Sequence, residues 1–205
     1  MKHDRFKFIY ICVLTAGTIA VLIKAHFYPN KPIQATFEVP QTLDLPDWSL
    51  KSSSPINDNQ RTFQSGRTYQ YQQKQTTIDI EIRHIINTDG DVRDYFQVYQ
   101  SIVPTQPIIQ QKNGFYGLFT HQNRTYLSTC INPKGESTFT GVQFARNRNL
   151  YDIRPDRIAL WLFSSTNLRD ERCLWVQLST TNRDRELLEK TWFTLYPKLR
   201  DRFRV

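Results

Sequence analysis

Cys130 and Cys173 are the side chains in this 205-residue chain best suited to covalent chemistry, and they admit three readings. In an oxidising compartment they can pair, closing a long loop with roughly 3–4 kcal/mol of stabilisation on the loop-entropy account. They can also stand as two buried free thiols. In the third reading Cys130 is a nucleophile with His121 across a hairpin, the one plausible Cys–His pair. A thiolate there needs a lowered pKa, for which His121, Lys134 or Arg172 could serve. No third group stands out to orient the histidine, and the hairpin register need not bring His121 beside Cys130.

Arginines form the second constellation: Arg146, Arg148, Arg154, Arg157, Arg169 and Arg172. Guanidinium forks suit carboxylate or phosphate, which makes Arg146, Arg148, Arg169 and Arg172 candidates for binding an anion or a partner. The plainer reading is a solvated, internally paired surface, because Asp152, Asp156, Asp170 and Glu171 interleave with them. Arg169-Asp-Glu-Arg172 would then be a turn held by its own ion pairs. Metal chemistry is not indicated, since His84 and His121 are the histidines left to the domain and neither Cys-x-x-Cys nor His-x-x-x-His spacing occurs. Glycine-rich nucleotide loops and the Gly-x-Ser-x-Gly elbow are missing as well, so no cofactor is expected.

These residues need a scaffold, and the hydrophobic pattern supplies one. Residues 76–86 alternate Ile78, Ile80, Ile82, His84 and Ile86 against Asp79, Glu81, Arg83 and Ile85, the period of a half-buried strand. Residues 67–72 are its hairpin partner, and His84 reads as a satisfied core histidine. Val92, Tyr95, Phe96, Tyr99, Ile102 and Val103 recur at helical spacing, predicting an amphipathic helix over 91–102 that Pro104 and Pro107 stop. Residues 115–120 and 125–132 predict a second hairpin across His121-Gln-Asn-Arg124. Asn132-Pro-Lys-Gly135 has turn chemistry, and residues 137–144 return as a third strand. Residues 154–163 read as a helix with proline near its start. Residues 172–179 read as a buried strand. A closing helix is expected from about Asn182, with Leu188, Trp192, Leu195, Leu199 and Phe203 on one face and a kink at Pro197. Strand pairs with added helices make an α+β domain whose sheet is mainly antiparallel.

Ahead of the domain, residues 8–23 run without a charge between Lys7 and Lys24. As a helix the run spans about 24 Å, and snorkelling lysines with residues 25–28 extend it toward a ~30 Å hydrocarbon core. Phe6, Tyr10, Phe27 and Tyr28 provide aromatic belts. A cleaved signal peptide is the rival reading, but the run is long for one and no Ala-x-Ala site follows. The expected organisation is a cytoplasmic terminus over 1–7, a single-pass transmembrane helix over 8–25, a proline-rich linker over 26–58 and an extracytoplasmic α+β domain over 59–205. Within the linker, Leu43-Asp-Leu-Pro-Asp-Trp48 is expected to dock onto the domain. Lys2, Arg5 and Lys7 against Lys24 and Lys31 slightly favour the N-terminus inside. The net charge of +8 suits a lipid bilayer with anionic head groups or acidic polymers. Nucleic acid would fit that charge too, but no nucleic-acid motif appears.

Several of these pieces together resemble the cyanoexosortase A system-associated proteins. They are Tyr126-Leu-Ser-Thr-Cys-Ile-Asn-Pro-Lys-Gly135, Thr138, Gln143-Phe144, Asn147-Arg148, Trp161-Leu162 and Leu168-Arg-Asp-Glu-Arg-Cys-Leu-Trp175. The anchor, Leu45 to Trp48 and Trp192-Phe193 match as well, so the resemblance covers most of the chain after Leu43. It implies a membrane-bound accessory of an exosortase, a multi-pass protease-transpeptidase tied to exopolysaccharide production and envelope export. The implied partners are the cyanoexosortase and its sorted substrate proteins, and no catalytic residue is carried over.

Overall fold

The computed structural model describes residues 2–29, 37–104, 107–112, 114–181 and 183–204. Its elements run α1 (Lys2–Phe27), β1 (Ser49–Pro55), β2 (Phe63–Gln73), β3 (Thr76–Ile85), α2 (Val92–Gln100), β4 (Ile108–Gln111), β5 (Phe115–His121), β6 (Arg124–Ile131), α3 (Gly141–Asp152), α4 (Pro155–Leu162), β7 (Cys173–Thr180) and α5 (Arg185–Phe203). Contacts divide them into two units, one made of α1 with the segment Asp152–Asp170 and the other of the sheet with α2, α5 and most of α3.

In the first unit, Arg5–Phe27 is a 23-residue stretch long and apolar enough to cross a membrane. At 1.5 Å per residue it reaches about 35 Å, which covers a ~30 Å hydrocarbon core. The Thr15 and Thr18 hydroxyls donate to the carbonyls of Ile11 (2.8 Å) and Leu14 (2.9 Å), so the threonines in the run have their hydroxyls satisfied within the helix.

In the second unit, the strands order β1-β2-β3-β7-β6-β5-β4, every neighbouring pair antiparallel. Two meanders, β1–β2–β3 and β4–β5–β6, are therefore joined through β7, which arrives late in the chain. All eight residues of β7 are buried, and their period of two sorts them between the sheet's faces. Leu174, Val176 and Leu178 join Ile78, Ile80 and Ile82 beneath Leu188, Trp192, Leu195, Leu199 and Phe203 of α5. Cys173 and Trp175 join Val92, Tyr95 and Phe96 of α2 on the other face, with Phe119, Phe139 and Phe144. The Trp175 indole stacks on Tyr99 and donates to the Ser128 hydroxyl at 2.7 Å, so its polar edge is satisfied.

The antiparallel α+β architecture read from the pattern is the one observed, with instructive differences. His84 is fully buried, packed edge-on between Phe37 and Phe203. Arg83, placed by the pattern on a polar face, is also buried. It donates to Asp58 (2.7 Å) and Glu81 (2.5 Å) and lies 4.3 Å from the Tyr99 ring centre. The expected linker over 26–58 is corrected from Val39 onward. Leu43 and Leu45 belong to the α5-side core, and β1 pairs with β2 along its length. The first part of that linker and the expected helix start at Asn182 fall partly or wholly outside the described residues. The closing helix continues through Pro197 to Phe203.

The strand expected over 137–144 is a second correction. Ser137 and Thr138 form isolated bridges, to Gly114 and Cys130, and the chain then turns into α3. The cause is a reciprocal cap at Thr140-Gly-Val-Gln143. The Thr140 hydroxyl accepts from the Gln143 amide (3.3 Å), and the Gln143 side-chain oxygen accepts from the Thr140 amide (3.1 Å). Phe139 beside it lies so close to β5 that a Cβ on Gly117 would come within 2.2 Å of its ring.

Because β7 joins the meanders, a truncation there tests the architecture. Leu178→Ala is expected to cost about 2–5 kcal/mol, whereas Val98→Ala, on the exposed side of α2, should stay within about 0.5 kcal/mol. Chemical unfolding of the detergent-solubilised chain measures both, and equal effects would contradict the central role of β7.

Candidate functional site

Cys130 ends up near the close of β6, paired with Trp175 of β7, and Cys173 is the first residue of β7. They are therefore diagonal neighbours on one face of adjacent strands. Their sulfurs are bonded and their Cα atoms are 5.5 Å apart, inside the span a disulfide allows. Both are fully buried. The crosslink spans a sequence separation of 43 residues. On the entropic account a loop of that size is worth about 4 kcal/mol.

The Cys130–His121 pair is not assembled. His121 pairs with Arg124 at the tip of the β5–β6 hairpin, where Gln122 and Asn123 both take positive φ in a tight two-residue turn. Cys130 lies six residues further along β6, roughly 20 Å away at the rise of a strand. With its sulfur bonded to Cys173, Cys130 also has no thiolate to offer.

The four candidate arginines divide between the two units. Arg148 donates to Glu171 at 2.8 Å and lies against the Phe144 ring. The Arg172 guanidinium lies 5.7 Å from the Phe203 ring centre. Arg146 is exposed on α3, and Arg169 is exposed in the other unit. Among the described residues no group of three or more His, Cys, Asp or Glu is arranged to hold a metal ion. Open clefts accompany the sheet. One of about 330 Å³ is rimmed by Leu43, Asp44, Leu195 and Lys198, and one of about 680 Å³ by Glu38, Asp58, Phe63 and Arg67. Neither holds a nucleophile with a base and an orienting group.

What these residues do build is a closed-off excursion between β6 and β7. Its crosslinks are nested along the chain: Cys130 to Cys173, then Arg148 to Glu171, then Asp152 to the Asp170 amide (2.8 Å), then Arg157 to the Leu168 carbonyl (3.0 Å). Arg157 also faces the Asp152 carboxylate at 3.6 Å. The loop at its base is equally fixed. Asn132 is buried, its side-chain amide donating to the Glu136 carbonyl and to the Thr138 hydroxyl. Gly135 takes φ +79°, and a side chain there would strike Asn147, whose own amide donates to the Lys134 carbonyl at 2.7 Å. Arg204, just past α5, donates to the Gly135 carbonyl at 3.0 Å. The Cys-Ile-Asn-Pro-Lys-Gly signature is thus the footing of the excursion.

Asp91, at the start of the helix expected over 91–102, is a second clasp. Its carboxylate caps α2 through the Arg93 amide (3.0 Å), accepts from the Arg93 guanidinium and receives the Gly141 amide at the start of α3 (3.2 Å). Burial disfavours the charged form, but the Arg93 and Gly141 hydrogen bonds outweigh it and hold the carboxyl below its ordinary pKa. Stability from this group is therefore present above its unfolded value of about 4 and is lost as pH falls through the folded one. Asp91→Ala should cost about 0.5–2 kcal/mol at pH 7. The gap to the parent chain should narrow on acidification. Unfolding curves at pH 7 and pH 3 measure it, and a gap independent of pH would contradict the clasp.

Comparison of the chain with protein-family models, with curated proteins and with solved structures returns no match.

Proposed function

We propose that the chain is a membrane-anchored, non-catalytic accessory of an exosortase protein-sorting system linked to exopolysaccharide or envelope export. In this reading it holds the cyanoexosortase or its sorted cargo on the periplasmic side of the inner membrane. The observation that carries the reading is the use of its signature cysteines. They are bonded in the core at the footing of a braced excursion, at the opposite end of β6 from His121, which suits a binding module better than a thiol enzyme. The resemblance of Tyr126 to Gly135 and Leu168 to Trp175 to the cyanoexosortase A system-associated proteins points the same way.

The same bond supports a compartment, and the flanking charges support an orientation. Disulfides persist in oxidising compartments and are rare in the cytosol. A bond in the domain supports a domain outside the cytoplasm, and Lys2, Arg5 and Lys7 ahead of the apolar run support an N-terminus inside. α1 then acts as a single-pass anchor, with the bilayer as a further partner.

The full-length chain, solubilised in mild detergent from its native membranes, is expected to co-purify with the sortase or a sorted substrate. Arg146→Ala, which removes an exposed guanidinium and disturbs no core contact, reports whether α3 takes part. Repeated recovery of the folded chain with neither partner would overturn the proposal.

A further inference from the structure

We infer that α4 is an interfacial helix that lies in the outer leaflet beside the end of α1, a second and shallower membrane contact. The inference rests on α1 spanning the bilayer, and it concerns the first unit alone. α4 packs against the last turns of α1, where Lys24 is buried and Ala20 is half-covered, while the other α1 side chains from Arg5 to Phe27 are exposed. The Lys24 ammonium caps its own helix at the Tyr28 carbonyl, donates to the Ser164 carbonyl just past α4 (2.6 Å), and lies 5.7 Å from the Trp161 ring centre. Lys24 is the residue that ends the apolar run, so this lock holds α4 at the depth where hydrocarbon gives way to head groups. Ala20 lies about 6 Å deeper along the axis, comparable with the depth to which an interfacial helix buries its apolar face.

The composition of α4 suits that place. Ile158, Trp161 and Leu162 recur at i, i+3 and i+4 and are half-buried, while Leu160 is 51% and Phe163 72% exposed. None of the α4 residues is fully buried, so an apolar helix of eight residues would stand in water unless something covers it. Tryptophan, phenylalanine and leucine beside the end of an anchor are the side chains that prefer the interface. The segment balances Arg154, Arg157 and Arg169 against Asp152, Asp156 and Asp170, so the attraction is apolar and requires no anionic lipid. The arm's own crosslinks, Asp152 to Asp170 and Arg157 to Leu168, occupy those polar groups, while Leu160 and Phe163 stay exposed.

Nitroxide labelling of the full-length chain in phosphatidylcholine nanodiscs tests this. One label is placed on native Cys12, which is exposed on α1, and others on Leu160→Cys and Phe163→Cys in a Cys12→Ser background. Power saturation with oxygen and a water-soluble nickel chelate reads the depth of each. The expected result is a deep label at position 12 and labels at positions 160 and 163 about 5–10 Å below the phosphates. A deep label at 12 with water-exposed labels at 160 and 163 overturns the inference and leaves the anchor standing, the apolar face then belonging to a protein partner. A water-exposed label at 12 overturns the anchor and the inference with it.

Discussion

Hydrogen bonding of β7 to β3 along one edge and to β6 along the other is the constraint on which the sheet unit depends. Without it the chain has two separate meanders, and neither buries both of its faces. With it, the side chains of one strand enter two cores at once, Leu174, Val176 and Leu178 toward α5 and Cys173 and Trp175 toward α2. Burying each large apolar side chain is worth about 1.5–3 kcal/mol, so the strand that reaches both cores carries an unusual share of the stability. Its partners are far away in sequence, and closing such non-local contacts is slow relative to forming either meander. The Cys130–Cys173 bond ties the first residue of β7 to the strand beside it.

The same bond decides how the rest of the chain can be used. Between its sulfurs the chain leaves the sheet unit, enters the segment Asp152–Asp170 that groups with α1, and returns. Nested crosslinks close this detour at each stage. In this account the residues that looked most reactive are the most deeply committed to structure. The outward-facing chemistry is left to the apolar α4 and to exposed polar side chains such as Arg146 and Arg169.

Much of the sheet unit was legible because its pattern was strong. The isoleucine alternation of β3, the aromatic stripe of α2 and the buried run of β7 each have one period and a clear end. β1 was not legible as a strand, because Ser49–Pro55 is an edge whose side chains are mostly exposed and carry no alternation. Its serines, proline and Lys51 are what a protected sheet edge uses, and they look like linker. α3 was missed for the opposite reason. The β-forming residues of 137–144 outweighed the Thr140–Gln143 cap, although that cap is a local signal that sequence alone displays. Nor could sequence show that Cys130 stands diagonal to Cys173 while His121 is at the far end of its hairpin, since both facts depend on register. The grouping of Asp152–Asp170 with α1 brings Lys24 to a carbonyl 140 residues away, which no local pattern encodes.

Cys130 and Cys173 must be bonded in the working protein for this account to hold. Acid-quenched cells can be denatured and treated with a maleimide that adds a fixed mass per free thiol, before and after reduction. The chain has three cysteines, so the account predicts one tag before reduction, on Cys12, and three after it. Three tags before reduction would contradict it.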